Sequence, residues 1–255
     1  MTQDSLKITL IRTSCLLIQY GRWNLLTDPW FGNSMRGLPV FRKPGIALQD
    51  LPPIDVVVAS HLHRDHFDKK AVASLANDKT IILGPHGTAR HCRDIPDGTV
   101  RELDPWERTE VGDLSFMATP ALHTGPPPQE INYILELGPW RIFFGGDARF
   151  STAFSEIAAR VDSIHIALLP IGGTLIFGHR TTMGPADAVR AASVLRPAVV
   201  VPIHEGGEWM SVPPASWHPG RFSDFATLLE QSESGATAEV LEPGQSFEFR
   251  WESVG

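Results

Sequence analysis

Lysine is scarce in this chain. Its 255 residues include 5 Lys and 17 Arg against 29 Asp+Glu, for a formal net charge of -7 with histidine neutral. A protein that grips nucleic acid by neutralising phosphates carries the opposite sign, so no nucleic-acid partner is expected. Cysteine is scarcer still. Cys15 and Cys92 stand alone, without C-x-x-C spacing, so they are poor metal ligands and both are expected reduced. No apolar run approaches the ~20 residues of a membrane span. The N-terminus lacks a basic start followed by an apolar stretch of about 7–15 residues, so it does not read as a secretory signal. A cytoplasmic protein without membrane contact is expected. No Gly-x-Ser-x-Gly elbow offers a serine nucleophile.

What remains is a globular composition, 42% hydrophobic and 20% charged, able to bury a sizeable core. No linker divides it, so residues 1–255 read as a single domain. The sequence says nothing of its oligomeric state. Ten histidines are the one unusual count.

Short β-branched and apolar runs alternate with Gly/Pro clusters. Residues 6–11, 14–20 and 23–27 read as strands, and 30–53 as a long, partly structured loop. Residues 54–60 form a near-continuous apolar run, as in a strand covered on both faces. A short helix over 69–77, capped by Asp68, and a strand over 80–83 follow. Residues 100–103, 109–111 and 114–118 read as antiparallel strands, and 131–137 with 141–145 as a hairpin. Helices are expected over 151–160, 184–195 and 221–230, and strands over 165–169, 198–203, 239–241 and 246–251. The second half repeats the order of the first. This pattern predicts a four-layer αβ/βα sandwich, two mixed sheets face to face with helices outside.

The decisive stretch is Ser60-His-Leu-His-Arg-Asp-His-Phe-Asp68. It follows the buried 54–60 strand and precedes a helix, where α/β sheets place their sites. His61, His63, Asp65 and His66 fall within six residues. In an extended segment His61 and His63 share a face because side chains alternate. Asp65 and His66, at the turn into the helix, can face a second ion. Clustered neutral imidazoles gain little from one another, and protonated ones repel. A metal cation resolves both, and imidazole with carboxylate suits zinc, manganese or iron.

The H-x-H-x-D-H arrangement resembles the signature of the metallo-β-lactamase superfamily. That resemblance implies further ligands after later strands, and the chain has His123 in Thr-Pro-Ala-Leu-His, Asp147 in Phe-Gly-Gly-Asp and His204 in Val-Pro-Ile-His. By this likeness His61, His63 and His123 hold one divalent ion, Asp65, His66 and His204 hold a second, and Asp147 bridges them. Two zinc ions are expected, with manganese or iron as alternatives. They would bring the formal charge to about -3.

Two such ions activate a shared water. The expected activity is therefore hydrolysis of a small-molecule lactone, phosphoester or amide by a metal-bridging hydroxide. Asp65 would orient the hydroxide and take up a proton. A phospholipase D-like phosphodiesterase and a non-hydrolytic metal-binding or redox module are the alternatives on the same fold. The wording of residues 25–31, 168–173 and 182–189 is similar to ascorbate-6-phosphate lactonase and the N-acyl phosphatidylethanolamine phospholipase D enzymes. Thr182-Met-Gly-Pro looks more like the lactonase type, and Glu205-Gly-Gly-Glu-Trp209 departs from both.

His179 falls in a loop that this likeness brings near the metals, as a donor to the leaving group or a substrate ligand. Arg149 and Arg180 read as surface cations, with oxyanion binding as the alternative. Trp30, Phe31, Trp209 and Trp217 lie in loops near ligand segments, as pocket lining, as a contact to a membrane surface, or as loop packing. His86, His91, His165 and His218 read as structural or surface residues.

Overall fold

The computed structural model describes residues 5–35, 37–96, 99–123 and 130–251. Residues 1–4, which entered the reading of the N-terminus, lie outside them. The chain opens with three antiparallel strands, β1 (Ser5–Arg12), β2 (Cys15–Tyr20) and β3 (Trp23–Thr27). The long loop that follows contains a small ladder, β4 (Ser34–Met35) with β5 (Leu38–Pro39), and a 3-10 turn at Leu48–Asp50. Then come β6 (Val56–Val58), α1 (Lys69–Leu75), β7 (Ile81–Gly84), α2 (Thr88–His91) and β8 (Val100–Glu102). Asp68 caps α1 as expected, its Oδ1 accepting from the N–H groups of Lys70 (3.1 Å) and Ala71 (3.3 Å).

The second half repeats this plan with β9 (Arg108–Val111), β10 (Leu114–Pro120), β11 (Ile131–Leu137) and β12 (Trp140–Phe144). Next are α3 (Ala153–Arg160), β13 (Ile166–Pro170), a hairpin of β14 (Leu175–Ile176) and β15 (His179–Arg180), α4 (Pro185–Leu195) and β16 (Val199–Ile203). The chain closes with α5 (Phe222–Glu230), β17 (Thr237–Ala238) and β18 (Ser246–Arg250). Pro185 opens α4 because its fixed φ suits the first turn and its missing N–H is not needed there.

The two seven-stranded sheets run β18-β1-β2-β3-β6-β7-β8 and β9-β10-β11-β12-β13-β16-β17. Read in that order, each has three antiparallel pairings followed by three parallel ones. The duplication seen in the sequence is thus a duplication of topology.

Two expectations change. Residues 100–103 do not join an antiparallel group with the strands after them. β8 pairs parallel to β7 in the first sheet, because the α2 crossover returns the chain in the same direction. The late strand is Thr237–Ala238, beside β16, not 239–241. Two residues at a sheet edge carry too little pattern to be placed from sequence.

Side-chain alternation builds the layers. On the first sheet Leu6, Ile8, Leu10, Leu16, Ile18, Val56 and Val58 enter the large core shared with Phe116, Leu135 and Ile142 of the second. Their neighbours Cys15, Leu17, Leu26, Val57 and Ile82 face the opposite way, against Val72 of α1 and Cys92. The second sheet is covered by α3, α4 and α5, which bury Phe154 and Ile157, Ala188, Ala191 and Leu195, and Phe222, Phe225 and Leu229 at helical spacing. The result is the predicted αβ/βα sandwich. Both cysteines are buried and free. No described helix is long and apolar enough to cross a membrane.

Candidate metal centre

Five loops leave the carboxyl ends of β3, β6, β10, β12 and β16 and carry Asp28, residues 61–66, His123, Asp147 and His204. Strand direction puts them at one rim. β3 and β6 are parallel neighbours, and β10, β12 and β16 run the same way within the second sheet. Cross-sheet hydrogen bonds close the rim. Ile131 N–H donates to Ser60 O (3.0 Å), Tyr133 Oη–H to Ala59 O (3.0 Å), and His204 N–H to Thr13 O (2.8 Å).

The seven residues named as ligands from sequence come together there. His61, His63 and His123 form one group whose donor atoms lie within 4.8 Å of one another, and Asp65, His66 and His204 form another. In the first, His61 Nε2 is 2.9 Å from His63 Nδ1, which is 3.3 Å from His123 Nε2. Asp147 lies between the groups. Its Oδ2 is 3.8 Å from His123 Nε2 and 3.7 Å from His66 Nε2, and its Oδ1 is 3.2 Å from His204 Nε2. His61, His66, Asp147 and His204 are buried, Asp65 and His123 half-buried, and His63 exposed. The cluster has a closed floor and an open mouth.

Partners behind the rings fix which nitrogen faces the centre. His66 Nδ1–H donates to Asp28 Oδ2 (2.6 Å), and His123 Nδ1–H donates to Thr181 O (3.0 Å). Ser60 Oγ–H donates to Asp28 Oδ2 (2.7 Å), so it accepts from His61 Nδ1–H (3.0 Å). The lone pairs of His61, His66 and His123 therefore sit on Nε2 and converge. His66 Nε2, His204 Nε2 and Asp147 Oδ1 are buried and make no hydrogen bond. Converging lone pairs, carboxylates and orphaned buried atoms fit divalent cations.

The electrostatics agree. Burial, reinforced by the His66, His123 and His63 imidazoles, pushes His61 well below the ordinary histidine value. Burial alone would lower His66, but Asp28 and Asp65 outweigh it and carry it up to about 10. Burial would raise Asp65, yet His66 and His204 hold it below the usual carboxylate range. With no ion bound, the carboxylates around His66 Nε2 favour a positive charge there, the charge that a divalent cation would supply in place of the proton.

Sequence reasoning missed three buried carboxylates around this centre. Asp28 looks like a plain Asp-Pro turn. Glu130 Oε1 accepts from Asp147 N–H (2.5 Å), and its Oε2 lies 3.4 Å from His123 Nδ1. Burial and the Asp147 carboxylate push Glu130 well above the usual range. Glu208 accepts from both Thr13 N–H (2.9 Å) and Thr13 Oγ1–H. His218 is also more than background. It is buried between Thr174 Oγ1 (3.0 Å) and Ser216 Oγ (3.3 Å), with its ring 4.7 Å from that of Trp209.

The remaining candidates are distributed as follows. His179 is exposed on β15, and its side chain makes no hydrogen bond or ion pair to any of the seven ligands. Arg180 Nη1 donates to Gly173 O (3.2 Å), and Arg149 N–H to Leu122 O (2.7 Å). Trp30 and Trp209 pack edge to face (5.7 Å), Phe31 is half-buried, and Trp217 is exposed. His165 Nδ1 accepts from Arg141 N–H (2.9 Å), the structural role expected of it.

The profile of the Beta-lactamase superfamily domain matches residues 23–204, the span that carries all seven candidate ligands. An uncharacterized protein of Mycobacterium tuberculosis is 30% identical over 210 residues, 76% of this chain and 56% of the relative. The chain thus spans just over half the length of this mycobacterial relative. A UPF0173 protein of Pyrococcus abyssi is 26% identical over 95% of this chain and 100% of its own. Among solved structures, Igni18, a metallo hydrolase of Ignicoccus hospitalis, superimposes with a TM-score of 0.76 at 22% identity, covering 97% of this chain and 99% of that one. With the profile matched over most of its length, the chain belongs to the beta-lactamase superfamily.

Proposed function

We propose that this protein is a dinuclear metal-dependent hydrolase acting on a small lactone, phosphoester or amide. The observation that carries the reading is Asp147, whose Oδ2 lies 3.8 Å from a nitrogen of one triad and 3.7 Å from a nitrogen of the other. A carboxylate so placed can serve two ions at once. The set has no sulfur, and zinc, manganese and iron all accept it.

Two ions held there would supply Lewis acidity and lower the pKa of a coordinated water from 15.7 toward about 7. The chain's own groups do the rest. His61, His63 and His123 would hold one ion, and Asp65, His66 and His204 the other. The Asp65 carboxylate, the one acidic group of its triad, would orient the attacking water and accept its proton at Oδ. His179, two residues before the Thr181 carbonyl that orients His123, is the proposed donor to the departing group. The lactonase-like wording of residues 182–189 supports a lactone or phosphoester before an amide.

Metal content and a panel of lactones, phosphodiesters and N-acyl compounds test this. About two equivalents of metal and turnover of one class are expected. D147A should lose turnover, and H179A should lower kcat at unchanged metal content. Metal-loaded protein that consumes oxygen and hydrolyses nothing would overturn the reading.

A further inference from the structure

Nine large apolar side chains are exposed among the described residues, and all but Leu228 and Phe247 stand on four segments that adjoin the metal centre. Leu122 immediately precedes the ligand His123. The β14–β15 hairpin, with Ile176 and Phe177, leads into Thr181, whose carbonyl accepts from His123 Nδ1–H. That hairpin is laced to the 209–218 loop. Leu175 N–H donates to Trp217 O (2.8 Å), Trp217 N–H to Leu175 O (2.9 Å), and Phe177 N–H to Ala215 O (3.4 Å). The same loop begins at Trp209, whose ring lies edge-on to the ligand His204 at 5.9 Å. It is tied in turn to residues 39–41, since Met210 N–H donates to Pro39 O (3.2 Å) and Phe41 N–H to Glu208 O (2.7 Å). The segments that carry these apolar side chains therefore form a collar that runs from His123 round to His204. Phe177 and Phe41 are its most exposed members, at 69% and 62%.

A monomeric protein gains nothing by exposing this much apolar surface on one side, and a patch of this kind marks a contact site. We propose that the collar is the apolar subsite of the enzyme, taking an alkyl or aryl group of the molecule whose polar end is hydrolysed at the metals. This rests on the hydrolase reading above. Three features choose a substrate group as the occupant. The collar is continuous with the ligand-bearing segments, so one molecule can span both. A second protein seated on it would close the mouth where His63 is exposed. Residues 38–41, 119–123, 175–180 and 209–218 hold no lysine and no carboxylate, and their one arginine, Arg180, donates to Gly173 O. An anionic membrane surface selects clustered lysine and arginine, which this collar and a chain of net charge -7 lack.

Straight-chain alkylphosphonates from methyl to octyl, titrated by calorimetry into metal-loaded and metal-free protein, test the proposal. Kd should fall about two- to fourfold per methylene, with the same slope in both forms. F177S and W217S should flatten that slope while leaving methylphosphonate affinity and metal content unchanged, and L228S, away from the collar, should leave it intact. Tighter binding of methylphosphonate when metal is present reports on the metal centre, and the chain-length slope reports on the collar, so either reading can fail alone. A flat series, or a slope unmoved by both collar variants, overturns the proposal. Dimerisation in sedimentation, or flotation with phosphatidylcholine vesicles, that F177S and W217S abolish would assign the collar to a second copy or to a bilayer instead.

Discussion

His66 donates its Nδ1 proton to Asp28 at 2.6 Å, and neither side chain reaches solvent. Asp28 also accepts from Ser60 N–H (2.7 Å) and Ser60 Oγ–H (2.7 Å), and Ser60 Oγ in turn accepts from His61. One carboxylate thus orients a ligand ring in each triad, directly in one case and through a hydroxyl in the other. Removing such a partner commonly costs 10–100-fold in metal affinity. D28A should weaken the ion held by Asp65, His66 and His204 by about that factor, and the other ion less. Chelator competition that resolves the two equivalents measures it. Two undiminished affinities would show that Asp28 is packing rather than positioning.

His204 is held differently. Its Nδ1 is buried without a hydrogen bond, so its ring is placed by the backbone and by packing against Trp209 and His66. His204 and Thr13 both adopt positive φ, 53° and 54°, and are joined by His204 N–H donating to Thr13 O (2.8 Å). L-residues adopt this region reluctantly. Glu208 holds the pair by taking both the N–H and the hydroxyl of Thr13. E208A should leave these donors buried without a partner, at about 1–3 kcal/mol. Tm should fall, and the His204-side ion should dissociate faster. E208Q, which keeps an acceptor oxygen, should recover part of both.

His218 gives the metal-free protein a pH signature. Burial, with the His204 imidazole adding to it, pushes this histidine from 6.5 down to about 4. Between those values the unfolded chain takes up a proton that the folded chain refuses. Its contribution to stability is therefore complete above 6.5 and lost as pH falls toward about 4. H218Q should flatten the fall of Tm across that window relative to the unaltered chain. Equal slopes would place the acid sensitivity elsewhere.

The grouping of the seven candidate ligands was legible because a contiguous motif carries the family resemblance, and that resemblance points to the ends of later strands. His61 to His66 are neighbours in sequence, and His123, Asp147 and His204 each follow an apolar run that can only be a strand. Asp28 follows a strand too, but its Asp-Pro setting is what any turn would use. Glu130 and Glu208 are separated from their partners by 17 and 195 residues, so only tertiary packing shows that they are buried. Sheet membership failed in the same way at β8. Val100-Arg101-Glu102 alternates equally well in either sheet, and it is the crossover, a long-range property, that assigns it. The collar was half visible. Trp209 and Trp217 were both suspected, but pattern alone does not say that Trp209 packs inward while Trp217 stands in solvent.

Gly146 is where backbone and chemistry are tied most closely, and it supplies the sharpest single-atom test. Its φ is +48°, and a Cβ built there would lie 2.5 Å from Ser60 Cβ and Oγ and 2.7 Å from Glu130 Oε1. Those are the groups that orient His61 and hold the N–H of Asp147. G146A adds one methyl group, yet it must displace either the strand end that starts the histidine motif or the carboxyl that fixes the bridging residue. Positive φ alone costs a non-glycine residue roughly 1 kcal/mol, so the fold should survive with a Tm lower by a few degrees. The metal centre should not. Stoichiometry should drop from about two ions toward one, because the residue lost from register is the one proposed to serve both triads. Circular dichroism and metal analysis on the same sample separate these effects. A folded G146A protein that still binds two ions with unchanged affinity would mean that Asp147 is not held by this turn.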